Sequence, residues 1–218
     1  MKYDKSKVES LLEEGRVGLG NARATPEIAA LLARYGYGDA ELQEGETLRL
    51  ALETAQAGQV RAYARQQEAT AAFQAAWEGA RAAYARHTKI ARAVLTARPD
   101  LLPRLGLEGR RPQAFGAWLA AARQFYREAL ADAALQTVLA EGGLTAAALA
   151  AGQNTLAAAA QADSAQESAK GLAQQATQDR DAAAAACQEW LGRFWKIAAV
   201  GLAGQPQWME RLGHKVRS

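Results

Sequence analysis

Eight cations crowd one stretch of the chain: Arg81, Arg86, Lys89, Arg92, Arg98, Arg104, Arg110 and Arg111 face only Asp100 and Glu108 over the same span. Clustered guanidinium and ammonium groups bind phosphate oxygens, so the stretch is a candidate anion or nucleic-acid contact, although the whole chain carries a formal net charge of only +3. A structural explanation competes with it. Lys and Arg favour helix C-termini, and Arg86 and Lys89 have counterparts at Arg193 and Lys196. Aromatic residues are not interleaved among the exposed positions in the manner of a known nucleic-acid fold.

Other chemistry is sparse. Tyr84 stands three residues before His87 and Arg211 three before His214, so the paired Glu-x-x-His repeats of a di-iron bundle are missing and no metal is expected. His87 falls on an aromatic seam and reads as a packed or partly exposed side chain. Cys187 follows the run Ala182 to Ala186 and reads as a small core residue; as the one cysteine, it excludes an intramolecular disulfide. No glycine-rich phosphate loop and no Cys-x-x-Cys occurs, and the acid pairs Glu13-Glu14 and Glu44-Glu46 lie near helix starts, where the macrodipole favours them. We therefore expect no catalytic residue and no cofactor. The remaining polar candidates are Gln67, Thr70, Gln174 and Thr177, which either line a small-molecule pocket between helices or fix the register of two alanine-rich rods.

The elements that must carry these residues are helices. Half of the 218 residues are apolar, with alanine prominent among them, and there are five prolines. A first helix is expected over residues 5–34, kinked or restarted at Thr25-Pro26-Glu27 and ended by Gly36. From Asp39, read as an N-cap, to Ala97 no proline interrupts the pattern, which gives a rod of roughly 87 Å at 1.5 Å per residue. Its second half carries a heptad-like, coiled-coil seam of Phe73, Trp77, Ala80, Tyr84, His87, Ala91 and Val94. A helix is then expected from about Gln113 to Glu141. A second rod follows from Thr145, as N-cap, to Ala203, with Ala158, Ala162, Ala165, Ala169 and Ala176 on its facing side.

The second half of the chain replays the first. Sliding one over the other by 107 residues aligns Leu12 with Leu119, Leu32 with Leu139, Gly36 with Gly143, Leu42 with Leu149 and Gly45 with Gly152. The same shift aligns Gln67 with Gln174, Thr70 with Thr177, Lys89-Ile90-Ala91 with Lys196-Ile197-Ala198, Pro99 with Pro206 and Arg104-Leu105-Gly106 with Arg211-Leu212-Gly213. A fixed offset over this length marks a tandem duplication. The expected fold is all-α: a single domain over 1–218 built from repeats 1–110 and 111–218, an elongated helical bundle with two long antiparallel helices about a pseudo-two-fold axis. The four waist residues would meet at its centre.

Tyr35-Gly36-Tyr37 leading into Leu42-x-x-Gly45, with Lys89-Ile90-Ala91-Arg92 and its echo at Lys196, resembles uncharacterised all-helical bacterial proteins. The resemblance implies a fold and no activity. The N-terminus has no apolar run behind its charges, and no stretch of eighteen uncharged apolar residues occurs, so a cytoplasmic protein without a transmembrane segment is expected. The leading functional expectation is a non-enzymatic structural or protein-interaction bundle that self-associates. The alternatives are polyanion or nucleic-acid binding through residues 81–111, and an amphipathic coat on lipid or polymer granules.

Overall fold

Helix ends fall where capping chemistry puts them. Asp4 accepts the Lys7 N–H at 2.8 Å and starts α1 (Lys5–Ala24). Thr25, at φ −116° and ψ 100°, breaks the chain before Pro26 opens α2 (Pro26–Ala33). Gly36, at φ +88°, ends it: Tyr37 N–H reaches back to Leu32 C=O and Gly36 N–H to Ala33 C=O, the paired bonds of a left-handed helix terminus. Then comes α3 (Asp39–Val94), 56 residues long, tightened at its end into a 3-10 turn over Leu95–Ala97.

The computed structural model describes residues 3–213, and these are all-α, with no strand among them. After a second 3-10 turn at Pro99–Leu101 the chain forms α4 (Phe115–Ala131) and α5 (Ala133–Glu141), then α6 (Ala146–Gly201), also 56 residues, and the short α7 (Pro206–Arg211).

Three expectations are corrected. The helix expected over 113–141 is two, broken at Asp132 with φ −119° and ψ 107°, the geometry of Thr25 at the position 107 residues earlier. No proline marks this second break; the Asp132 carboxylate takes the Leu135 N–H at 3.0 Å and caps α5. Asp39 is the first helical residue rather than the N-cap, since the Leu42 N–H bonds to Gly38 C=O, whereas Thr145 does cap, accepting the Ala148 N–H at 3.2 Å. The alanine stripe expected on α6 holds only in part: Ala162, Ala169 and Ala176 are half-buried, but Ala158 and Ala165 are exposed. The buried row is Gly152, Ala159, Gln166, Ala173, Arg180, Cys187 and Phe194, a spacing of seven. On α3 the matching row runs Gly45, Leu52, Gln59, Gln66, Phe73, Ala80 and His87, with only Gln66 and His87 half-buried.

Two compact units divide the described chain, cut inside both long helices. The first takes the chain up to Ala64 and again from Gly171. Its core gathers Val8, Leu19, Ile28, Leu32, Leu42 and Leu52 with Cys187, Phe194, Leu202 and Leu212. The second is Arg65–Lys170, with Ala80, Tyr84, Leu95, Leu105, Phe125, Tyr126, Leu139 and Ala159 in its core. Each unit thus draws on both repeats.

Both glycines of the seam lie under an aromatic ring. A Cβ on Gly45 would collide with Trp190 of α6, and one on Gly152 with Tyr126 of α4. Only glycine lets the rings come that close.

Candidate anion-binding cleft

The second unit holds all eight candidate cations, and their surroundings sort them. Arg98 pairs with Asp100 at 2.9 Å, and Arg104 with Asp132 at 2.9 Å and Glu128 at 3.6 Å. The first pair is local, within one turn, whereas Arg104 ties the loop after α3 to the C-terminal end of α4. Arg92 is half-buried and donates to Leu107 C=O at 2.8 Å, which holds the loop after α3 against the helix. Arg86, Lys89 and Arg110 are exposed. Among the described residues Arg81, Arg86, Lys89, Arg92, Arg110 and Arg111 have no carboxylate within ion-pair distance.

Arg81 and Arg111 differ from the rest in that they flank a cleft. It has a volume of about 280 Å³ between one face of α3, with Tyr84 and Ala85, and the segment carrying Arg111, Gln113 and Trp118. Arg111 Nη2 donates to the buried Thr88 hydroxyl at 2.6 Å, and its guanidinium lies 5.5 Å from the Tyr84 ring centre. The Arg81 guanidinium lies 5.5 Å from the centre of the Trp77 ring. Aromatic faces position both side chains, and a guanidinium has five N–H donors, so most remain for a ligand. Burial raises the Tyr84 hydroxyl above its ordinary value, against the pull of Arg111 and then Arg92.

The waist residues divide by exposure. Gln67 and Gln174 are exposed. In the second unit the half-buried Thr70 donates to Gln66 C=O at 2.9 Å and accepts from Gln166 at 3.2 Å. In the first, Thr177 donates to Ala173 C=O at 2.9 Å and accepts from Gln59 at 3.3 Å. His87 packs edge-on against Tyr126, with Nδ1 3.0 Å from its hydroxyl. Burial, with Arg86 beside it, lowers the imidazole below its ordinary value, and burial pushes the Tyr126 phenol up. Cys187 is buried, and that burial pushes its thiol up to about 11, where it is a poor nucleophile at neutral pH. His214 lies outside the described residues. Among those described, no three His, Cys, Asp or Glu side chains gather as a metal site, and no single helix is long and apolar enough to cross a membrane.

No protein family, curated protein or solved structure matches this chain.

Sequence reasoning missed four buried polar residues: Thr88, which holds Arg111, and Gln59, Gln166 and Arg180. The two glutamines are themselves 107 apart and each donates to a threonine of the expected waist. Arg180 Nη1 donates to Gln59 Oε1 at 2.9 Å, Nη2 to Tyr3 C=O at 2.7 Å, and Nε to Asp181 at 3.0 Å. The available signal was the spacing of seven that runs from Phe194 back through Arg180 to Gln166.

Proposed function

We propose that this chain is a non-enzymatic, structural helical bundle of the cytoplasm that works by contact with protein, first of all a second copy of itself. What carries the reading is a contrast in exposed apolar surface. Tyr35, Leu50, Val60, Tyr63, Leu172 and Val200 are the large hydrophobic side chains left exposed among the described residues, and all six belong to the first unit. Val60 and Leu172 each remain 60% exposed. Scattered apolar residues are ordinary on a surface, but their confinement to one unit makes that unit the side through which contact is proposed. A contact between two copies places the same patch on both partners and needs no complementary partner surface.

The proposal includes the architecture: an internal tandem duplication whose two long helices run antiparallel and pack as a coiled coil. Three observations support it. The left-handed helix ends at Gly36 and Gly143 and the breaks at Thr25 and Asp132 recur at the sequence offset. The Gln59–Thr177 and Gln166–Thr70 bonds join equivalent pairs. Within the first unit Gln59 meets Thr177 while Gly45 lies under Trp190, so the paired numbers rise on one helix as they fall on the other.

A photo-cross-linking residue at Leu172 tests the contact. The expected product is a cross-linked dimer of this chain, with none from the same residue at exposed Gln153 of the second unit. Cross-linking at neither position, or equally at both, contradicts the assignment.

A second reading, anion binding by the cationic stretch, is favoured by the three exposed cations Arg86, Lys89 and Arg110 and by the Arg81–Arg111 cleft.

A further inference from the structure

We propose that the cleft between Arg81 and Arg111 binds a single phosphate group, free or at the end of a small phosphomonoester. The inference rests on the anion-binding reading and gives it one site and one ligand class. Charge comes first. Arg81 and Arg111 both line the cleft, and among the described residues no carboxylate is paired to either, whereas Arg98 and Arg104 nearby are both neutralised. A phosphate dianion matches two guanidinium charges, and its oxygens match the planar fork of N–H donors.

Preorganisation comes second. Arg111 is tied at one nitrogen to Thr88 and lies over Tyr84, so it need not be ordered from solution when a ligand arrives; the exposed Arg81 has the Trp77 ring as its one contact among the described residues. Gln113 adds an amide donor at the rim.

Size and wall chemistry then narrow the ligand. A cleft of about 280 Å³ is at the small end of ligand sites. Tyr84 and Trp118 line it but are only 2% and 4% exposed, so they offer almost no ring face for a base to stack on. A compact oxyanion fits; a stacked nucleobase does not. A polymer backbone would instead engage Arg86, Lys89 and Arg110, which lie exposed outside the cleft.

Calorimetric titration of the full chain at low ionic strength with inorganic phosphate and with phenyl phosphate tests this. Saturable binding at one site is expected for both. Arg81→Gln should weaken it at least about tenfold, the effect of one charge-assisted pair, and Arg86→Gln by less than about twofold. Arg81 is exposed, so its variant keeps the wild-type circular dichroism; Arg111→Gln also removes the Thr88 bond and is interpretable only if that spectrum is retained. Absence of phosphate binding, or equal weakening by Arg81→Gln and Arg86→Gln, overturns the proposal. If a single-stranded RNA homopolymer binds, weakened by Arg86→Gln and Arg110→Gln but not by Arg81→Gln, while phosphate does not, the cleft proposal fails and the broader anion reading survives. If neither ligand binds, both fail.

Discussion

Where the first unit seats Arg180, the second seats Phe73, 107 residues earlier in the chain and in the equivalent row of the seam. Each is 8% exposed, so the two sites are equally dry and differ in chemistry alone. Around Phe73 the filling is aromatic: Trp77 stacks on it at 5.5 Å and Phe115 meets it edge-on at 5.0 Å. Around Arg180 it is polar, with Gln59, Asp181 and the Tyr3 carbonyl taking its donors. The neighbouring threonine–glutamine bond is the same in both units. One scaffold position therefore supports either solution, but with different energetics. The aromatic cluster contributes through buried area and ring contacts. The arginine site contributes little net stability, yet loses much when one partner is removed, because the orphaned acceptors stay buried.

Substitutions can break that comparison, and because the chain has two units, native-state hydrogen exchange is the readout that separates them. Phe73→Ala should cost about 4 kcal/mol, confined to amides of the second unit; a loss below about 1 kcal/mol would mean the cluster is not a core. Arg180→Ala should cost about 3 kcal/mol in the first unit, and Arg180→Met nearly as much, since restoring apolar volume does not satisfy Gln59 or Tyr3. Recovery of stability by the methionine variant would show that packing, not hydrogen bonding, holds this site.

Gln59→Ala and Gln166→Ala sharpen the contrast. Gln59 both donates to Thr177 and accepts from Arg180, so about 2 kcal/mol is expected there; Gln166 only donates to Thr70, and about 1 kcal/mol is expected. Equal losses would remove the distinction between the two sites.

The smallest effect is one of pH. His87 sits where the first unit has Phe194, and its folded-state value is lowered, chiefly by burial. A histidine held neutral by the fold contributes stability that is present above its unfolded value of about 6.5. That stability declines as pH falls below this value and is lost once the pH has passed the lower folded one. The second unit should therefore loosen as pH drops from neutrality while His87→Phe flattens the profile. An unchanged profile in that variant would assign the acid sensitivity elsewhere.

Much of the fold is legible in the residues because its signals are local. Prolines, left-handed glycines and capping side chains fix where α1, α3, α6 and α7 begin or end to within a few residues. The break at Asp132 was hidden because an aspartate cap leaves no mark as strong as Pro26. The phase of α6 was hidden for a different reason. Between Ala146 and Ala162 alanine occupies every face, so side-chain size does not distinguish inside from outside; the phase is set by Leu156, Arg180 and Phe194 spread along the helix. The candidate cleft was half legible. The excess of cations over residues 81–111 is plain in the sequence, but which of them are neutralised depends on Asp132 and Glu128, brought to Arg104 only by folding.

Sedimentation equilibrium of the wild-type chain beside a Val60→Glu, Leu172→Glu double variant tests the contact function most directly. The wild-type mass is expected to rise above 23.2 kDa with concentration, while the variant stays at that value and keeps its helical spectrum. A wild-type protein that sediments at 23.2 kDa at every concentration, or a double variant that associates as the wild type does, would contradict it.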